Sequence, residues 1–128
     1  MSSKENRTVA QRFIEEIFND RKAEMTSNLF SSDIIYYGMG EVVRSVKEFK
    51  RWVAEDLSAF LVMKITILDD FGNNKVAIRW NLEAKQEKDF AEFPATHKML
   101  ETQGVDTFHF GNGIKEAWIV CDLSVLST

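Results

Sequence analysis

The chain has 128 residues, of which 45% are hydrophobic and 28% charged, and its formal net charge is -4. This balance is typical of a folded domain, so we expect one domain over residues 1–128. The acidic charge and the lack of a Lys/Arg cluster argue against a nucleic-acid binder. The longest apolar run is far below the ~20 residues of a membrane span, so we expect no membrane partner.

Two further features concern the cellular location. Cys121 is the only cysteine, which excludes an internal disulfide. The polar start of the chain has no apolar segment after it, which argues against a signal peptide. We therefore expect a cytoplasmic protein.

The first part of the chain has helical periodicity. Ser2 and Glu5 have the spacing of a capping box. An apolar stripe follows over residues 9–18 with helical spacing, which predicts an amphipathic helix. A short second helix is predicted over residues 23–30.

A strand and a third helix come next. Residues 34–37 are β-branched or aromatic, which favours a short strand, and Gly38-Met39-Gly40 predicts a turn. Ser45 and Glu48 form a second capping box. The apolar positions over 46–60 then predict the third helix.

The rest of the chain has the period of two that is typical of strands. The alternation is clearest over 76–84, and Gly111-Asn112-Gly113 predicts a tight hairpin. The predicted strands cover residues 63–68, 76–85, 97–110 and 114–125. Three helices followed by an antiparallel meander predict an α+β fold in which the helices pack on one face of a strongly curved sheet and leave a pocket between the layers.

Three stretches carry a resemblance to a known family. They are Ser58-Ala59-Phe60, the run K-V-A-I-R-W over 75–80, and the spacing I-x-E-x-W-x-x-x-D over 114–122. With the order of elements, they make the chain similar to the SnoaL-like proteins, relatives of the ketosteroid isomerases within the nuclear transport factor 2-like superfamily. The resemblance covers residues 9–126. It implies a cone-shaped fold, a pocket for a small apolar carbonyl compound, no metal or organic cofactor, and a homodimer.

The resemblance also suggests two catalytic carboxylates. The acid/base aspartate of the polyketide cyclases matches Asp122, and the oxyanion-binding aspartic acid of the isomerases matches Asp106. Cyclase chemistry is an intramolecular aldol closure that needs no cofactor. The isomerase tyrosine and general base fall on Phe13 and Tyr37, so steroid isomerisation is disfavoured. The histidine that cyclases carry after the strand of Trp80 is missing.

Strand parity indicates which side chains face the pocket. Asp122 shares parity with Trp118, and Asp106 shares parity with Phe108. His109 has the opposite parity to Asp106, so a regular strand cannot point both inward. Cys121, opposite in parity to Asp122, is expected to be a small buried hydrophobe, and Ile119, Cys121 and Leu123 are expected on the outer, dimer-forming face.

Aromatic residues are the other candidates for the pocket. The chain has ten Phe, three Trp and two Tyr, which indicates either an aromatic-rich core or an aromatic-lined cavity. We predict the following ligand-binding residues: Phe13, Tyr37, Phe49, Trp80, Phe108 and Trp118. Tyr36 is a further candidate for the cavity or the core.

Two functions remain open from the sequence. One is a cofactor-free cyclase, isomerase or lyase acting on a small apolar carbonyl compound, with Asp122 as acid/base and Asp106 or Tyr37 as hydrogen-bond donor. The other is a non-catalytic ligand-binding or dimeric interaction module of the same fold, because one fold hosts many functions.

Overall fold

The computed structural model describes residues 3–38 and 40–127. The predicted capping box at Ser2 and the centre of the turn at Met39 lie outside these residues. In the described chain no helix is long and apolar enough to cross a membrane.

Three helical stretches pack on one face of the sheet. They are α1 (Ser3–Arg12), which continues as a π-helix over Phe13–Asn19; a 3-10 turn (Ala23–Met25) followed by α2 (Thr26–Leu29); and α3 (Val46–Glu55) followed by a 3-10 turn (Asp56–Ala59). The predicted cap of α3 is confirmed, since the Ser45 hydroxyl accepts a hydrogen bond from the Glu48 backbone N–H at 3.0 Å. The Asn19 side chain holds the end of the first helix against the sheet, because it bonds both the N–H and the C=O of Ile65.

The sheet has six strands and is curved and unclosed. The strands are β1 (Phe30–Gly38), β2 (Glu41–Val43), β3 (Phe60–Gly72), β4 (Lys75–Gln86), β5 (Met99–Gly111) and β6 (Gly113–Cys121). Their order across the sheet is β2-β1-β6-β5-β4-β3. All neighbours are antiparallel except β1 and β6, which are parallel. The predicted α+β fold is confirmed, whereas β2 and the parallel pair were not predicted.

The end of β6 differs from the prediction. A strand was expected over 114–125, but β6 ends at Cys121 and a 3-10 turn follows over Ser124–Ser127. The physical reason is local: the Asp122 carboxylate accepts a hydrogen bond from the Ser124 backbone N–H at 2.9 Å, and this turn ends the strand. We call Ser124–Ser127 the C-terminal turn.

A β-bulge sets the register between β5 and β6. Phe110 lies opposite Ile114, but His109 lies opposite Glu116, so Lys115 is an extra residue on β6. Because side chains alternate with a period of two, this one-residue shift reverses the face of every following residue of β6. Asp106 therefore lies opposite Ile119.

A cluster of aromatic rings fills the core between the helices and the sheet. The Phe13 ring lies 5.3 Å from the ring of Phe108 and 5.9 Å from that of Phe49, measured between centroids. The Tyr36 ring packs against Phe49 at 4.9 Å. All four side chains are buried. This aromatic cluster therefore belongs to the packed core.

The outer face of the sheet carries exposed apolar side chains. Trp118 is 44% exposed and stacks on Tyr37 with the ring centroids 4.0 Å apart. Val120 is 68% exposed and lies opposite Val105 on β5, while Val42 lies opposite Tyr37 on β2. These five residues form one patch across four strands, which we call the outer patch.

Gly104 lets an aromatic side chain approach the backbone of β5. It lies opposite Trp80 on β4, and a Cβ atom at Gly104 would lie 2.6 Å from the Trp80 Cη2 atom and 2.6 Å from the Val120 carbonyl oxygen. Such distances are much shorter than van der Waals contact. The indole of Trp80 therefore lies flat over a position that has no side chain.

We predict that Gly104→Ala destabilises the fold. The added methyl group meets both the indole and a backbone oxygen that cannot turn aside, so the free energy of unfolding should fall by roughly 1–3 kcal/mol. Urea denaturation measures this. Gly111→Ala is the matched control, since its Cβ would meet nothing closer than the Lys115 side chain at 3.6 Å. Equal stability of the two variants would contradict the proposed packing.

Candidate functional site

A narrow apolar cavity lies between the sheet and the helices. Its volume is about 60 Å³. The sheet contributes most of the wall. The 3-10 turn that follows α3 adds Leu57, and the C-terminal turn covers one end. The lining residues include Tyr36, Trp80, Leu100, Asp106, Cys121 and Leu126.

Among the residues that the structure describes, Asp106 is the only acidic one on the cavity wall. It is 4% exposed, and its Oδ1 atom accepts a hydrogen bond from the Trp80 indole N–H at 2.8 Å. No other hydrogen bond to this carboxyl occurs within residues 3–38 and 40–127. One carboxyl oxygen is therefore fixed by the protein, and the other remains available to a ligand.

Burial controls the charge of Asp106. It raises the pKa of the carboxyl to about 7, because an apolar environment disfavours the charged form, while the hydrogen bond from Trp80 favours that form and opposes the rise. A carboxyl with a pKa near neutrality exists in both protonation states under ordinary conditions. It can donate a proton in one state and accept one in the other.

Tyr36 brings a hydroxyl group to the same cavity. Its side chain is 1% exposed, and within the described chain its hydroxyl makes no hydrogen bond. Burial raises the Tyr36 pKa well above its ordinary value, and the nearby charge of Asp106 raises it further. The phenol therefore stays protonated and can act only as a neutral hydrogen-bond donor or acceptor.

Cys121 also faces the cavity. Burial, with smaller effects from the charges of Asp106 and Asp122, raises the pKa of its thiol to about 11. The thiol is therefore protonated at neutral pH, which makes it a poor nucleophile. Its role on the wall is that of a small apolar group, as the sequence indicated.

The prediction that Asp122 faces the pocket is wrong. Asp122 is exposed, lies beyond the end of β6, and uses its carboxylate to hold the Ser124 N–H. The hydrogen bonds from Ser124 keep the pKa of Asp122 below its ordinary value. The bulge at Lys115 explains the error, because it turns the predicted inner face of β6 outward.

The same register shift also reverses the predicted faces of the other residues near the end of β6. Ile119, Cys121 and Leu123 line the cavity instead of the outer face, and Trp118 lies on the outer face with Tyr37. The expected pocket positions of Trp118 and Tyr37 are therefore wrong. In β1 the inward residue is Tyr36, because Ile34 and Tyr36 alternate with Ile35 and Tyr37.

The predicted aromatic lining is also only partly in place. Trp80 lines the cavity, as does Asp106. Phe13, Phe49 and Phe108 were expected on the pocket wall, but they pack against each other in the core and do not reach the cavity. The reason is that their rings fill the space between the first helix, α3 and the sheet. His109 is half-buried and also lies away from the cavity.

Leu126 is a cavity residue that the sequence pattern did not indicate. It belongs to the C-terminal turn, of which only residues 124 and 125 were expected to be strand, and it is 5% exposed. Its apolar character beside Val125 and Leu123 was the only available signal. Among the described residues, no group of three His, Cys, Asp or Glu side chains is placed to hold a metal ion.

Comparison with known proteins identifies similar sequences and folds. Residues 8–128 match the family model of the SnoaL-like polyketide cyclases. No curated protein has significant sequence similarity to the chain. Among solved structures, the chain is similar to a putative SnoaL-like polyketide cyclase from Jannaschia sp. CCS1, with a TM-score of 0.87 and 15% identity over 98% of this chain and 91% of that one.

Two further structures are similar over most of their length. AclR, a putative hydroxylase from Streptomyces galilaeus, has a TM-score of 0.79 and 20% identity over 98% of this chain and 94% of that one. A hypothetical protein with a ketosteroid isomerase-like fold from Catenulispora acidiphila, solved in complex with trimethylamine, has a TM-score of 0.75 and 12% identity over 92% and 88% of the two chains. At these identities the likeness concerns the fold.

We predict that the stability effect of Asp106→Asn depends on pH. The folded pKa is about 7 and the unfolded one ~3.9, so the folded state keeps a proton that the unfolded state loses. This contribution to stability is complete below the unfolded pKa and is lost as the pH rises through the folded pKa. Asn cannot ionise. The free energy of unfolding of the variant, relative to that of the wild type, should therefore rise by roughly 2–4 kcal/mol between acidic pH and pH 8. Urea denaturation across this pH range measures the difference.

Asp122→Asn is the matched control, and its pH dependence has the opposite sign. The Asp122 pKa is lowered in the folded state, so its contribution to stability is present at neutral pH and is lost as the pH falls through the folded pKa. A stability difference for Asp106→Asn that stays constant from acid to pH 8 would show that the carboxyl is not held in a protonated form.

Proposed function

The chain belongs to the SnoaL-like polyketide cyclase family, and on this premise we propose that it binds a small apolar carbonyl compound in the cavity and moves a proton on it. Asp106 is the acid/base. The observation that supports this is a single buried carboxyl, with a pKa near 7 and one oxygen left unbonded, on an otherwise apolar wall.

The lining of the cavity favours a carbonyl group as the polar part of the ligand. The hydroxyl of Tyr36 and the protonated form of Asp106 are both hydrogen-bond donors, and a carbonyl oxygen accepts such bonds. The remaining wall is apolar and favours the hydrocarbon part of the same molecule. An anionic ligand would have to lose its hydration without a cationic partner on the wall, which is unfavourable.

Proton transfer at Asp106 requires only this one carboxyl. In the ionised state its free oxygen removes a proton from the carbon next to the carbonyl group, and the electrons move onto the carbonyl oxygen. The Tyr36 hydroxyl stabilises that oxygen by hydrogen bonding. Asp106 then returns the proton to a different atom of the same molecule, which completes a cofactor-free isomerisation. In a ring closure, the enolate carbon first attacks a second carbonyl group of the molecule, and Asp106 gives its proton to the alkoxide that forms.

Trp80 acts through Asp106 as a positioning residue. Its N–H holds one carboxyl oxygen, and its indole is held in turn by the close contact with Gly104. The carboxyl therefore keeps one orientation before a ligand arrives. Its hydrogen bond also prevents burial from raising the Asp106 pKa further.

A second function is binding without turnover, and the location of Asp122 favours it. Acid/base reactions are often divided between two groups, whereas here the second predicted carboxylate lies on the surface. A cavity with a single carboxyl and a neutral phenol can also hold a carbonyl compound unchanged. The two functions differ in whether protons are exchanged.

Hydrogen–deuterium exchange of a simple ketone tests these alternatives. In D₂O, proton NMR of 2-butanone with the protein should show faster loss of the protons next to the carbonyl group than in buffer. Asp106→Asn should reduce the rate by roughly 10²–10⁴-fold, and Asp122→Asn should leave it unchanged. Saturable binding of 2-butanone without exchange would favour the binding function. Absence of binding would exclude both.

We also propose a homodimer that forms through the outer patch. Tyr37, Val42, Val105, Trp118 and Val120 expose apolar surface on one face of the sheet, and water contact with such surface is unfavourable. A two-fold dimer would place the patch of one copy against that of the other. The resemblance to the nuclear transport factor 2-like proteins supports this arrangement.

Substitution in the outer patch tests the dimer. Light scattering should give about twice the chain mass of 14.8 kDa for the wild type, and Val120→Glu should give the mass of one chain because charge is disfavoured in an apolar interface. Leu61→Glu is the control, since Leu61 is equally exposed (67%) but lies on β3, away from the patch. A monomeric wild type would refute the proposal.

A further inference from the structure

The cavity is long and thin. Along β5 its wall runs from Asp106 to Leu100, a separation of six residues, which corresponds to about 20 Å at the rise of a strand. Its volume is only about 60 Å³. A volume this small over this length makes the cavity a narrow slot. A ligand enters it only as the lining side chains move apart, and a single chain needs a smaller displacement of these side chains than a wide ring system does.

The two ends of the slot differ in chemistry. Asp106, Tyr36 and Trp80 form the polar end. The opposite end is formed by Leu100 on β5 and Ala84 on β4, which lie opposite each other, and by Leu126 of the C-terminal turn. Thr102 on β5 also lines the wall close to this end, but its hydroxyl donates to the Asp122 carbonyl oxygen, so the groups that remain for a ligand here are apolar.

A surface groove begins where the apolar end of the slot stops. It is lined by Phe93, Pro94, Ala95, Thr96, Lys98, Glu92 and Leu126, and its volume is about 560 Å³. Leu126 lines both the slot and the groove. Its side chain therefore separates the two spaces.

The segment that carries Leu126 is short. It is a 3-10 turn of four residues, and 3-10 hydrogen bonds have poorer geometry than those of an α-helix. The backbone N–H of Leu126 bonds the carbonyl of Leu123 at 3.0 Å, and the Thr102 hydroxyl holds the carbonyl of Asp122 at 2.8 Å. Leu126 is therefore the shared wall residue on a short segment between the slot and the groove.

We propose that the slot and the groove form one continuous site for a linear aliphatic carbonyl compound, which enters from the groove past Leu126 with its carbonyl end first and reaches Asp106. This rests on the proposed function and adds the shape of the ligand and its route. The apolar wall between Leu126 and Asp106 holds the chain. A longer chain, or a polar group at its far end, remains in the solvent-exposed groove beside Lys98.

Two ketones with the same number of carbon atoms test the shape. 2-Decanone is linear, and 2-adamantanone is a rigid cage. Each added methylene that becomes buried should tighten binding by about fourfold, so 2-decanone should bind far more tightly than 2-butanone. 2-Adamantanone should bind no better than 2-butanone. Dissociation constants from ligand-observed NMR give the comparison, and equal or tighter binding of 2-adamantanone would overturn the proposal.

Substitutions at Leu126 test the route. Leu126→Ala removes the partition and should increase the association rate of 2-decanone several-fold, measured by stopped-flow quenching of tryptophan fluorescence, whereas Leu126→Phe should reduce it. Leu61→Ala is the matched control on β3 and should leave the rate unchanged. Thermal midpoints establish that each variant is folded, and Leu126→Phe keeps the test valid if the alanine variant unfolds.

The possible failures can be told apart. Binding of 2-butanone without binding of 2-decanone would overturn the linear-chain site and leave the proposed function intact. Association rates that are the same in both Leu126 variants and in Leu61→Ala would overturn the route past Leu126. If neither 2-butanone nor 2-decanone binds, the proposed function fails, and the linear-chain site fails with it.

Discussion

The interior of this protein depends on one extra residue in β6. Lys115 forms a bulge, and the register on its C-terminal side is shifted by one position. As a result Ala117, Ile119 and Cys121 face the helices, while Trp118 and Val120 face outward. Without the bulge, an indole would have to fit into the slot and the thiol of Cys121 would lie on the surface. The bulge therefore determines both the width of the slot and the composition of the outer patch.

The buried carboxyl of Asp106 depends on a neighbouring strand. A carboxyl in an apolar environment is unfavourable unless it is neutral or hydrogen-bonded, and the indole N–H of Trp80 supplies the hydrogen bond. The indole reaches this position because Gly104 has no side chain. Trp80 on β4 and Gly104 on β5 thus hold the Asp106 carboxyl in an orientation that leaves its second oxygen open.

Much of the fold could be predicted from the sequence, because local patterns specify it. The alternation over 76–84 and the glycines at 111 and 113 correspond to β4 and the β5–β6 hairpin, and the Ser45 cap begins α3. The bulge could not be predicted, since Lys115 is an ordinary strand residue by composition and its effect appears only in the pairing. Parity was therefore correct for Asp106, before the bulge, and wrong for Trp118 and Asp122, after it. Which aromatic rings lie in the core and which line the cavity could not be predicted for a different reason. The answer depends on the distance between the first helix and the sheet.

The parallel pairing of β1 with β6 has a consequence for the assembly of the chain during synthesis. β1 is made early, but one of its two neighbours is the last strand, so Tyr36 pairs with Ala117 across most of the chain length. Contacts between such distant segments require a large loss of chain entropy before they form, and they slow folding. On the ribosome, the free edge of β1 has no partner until β6 has emerged, and the slot acquires its wall at Cys121 only at that stage. The cavity can therefore form only after β6 has been translated.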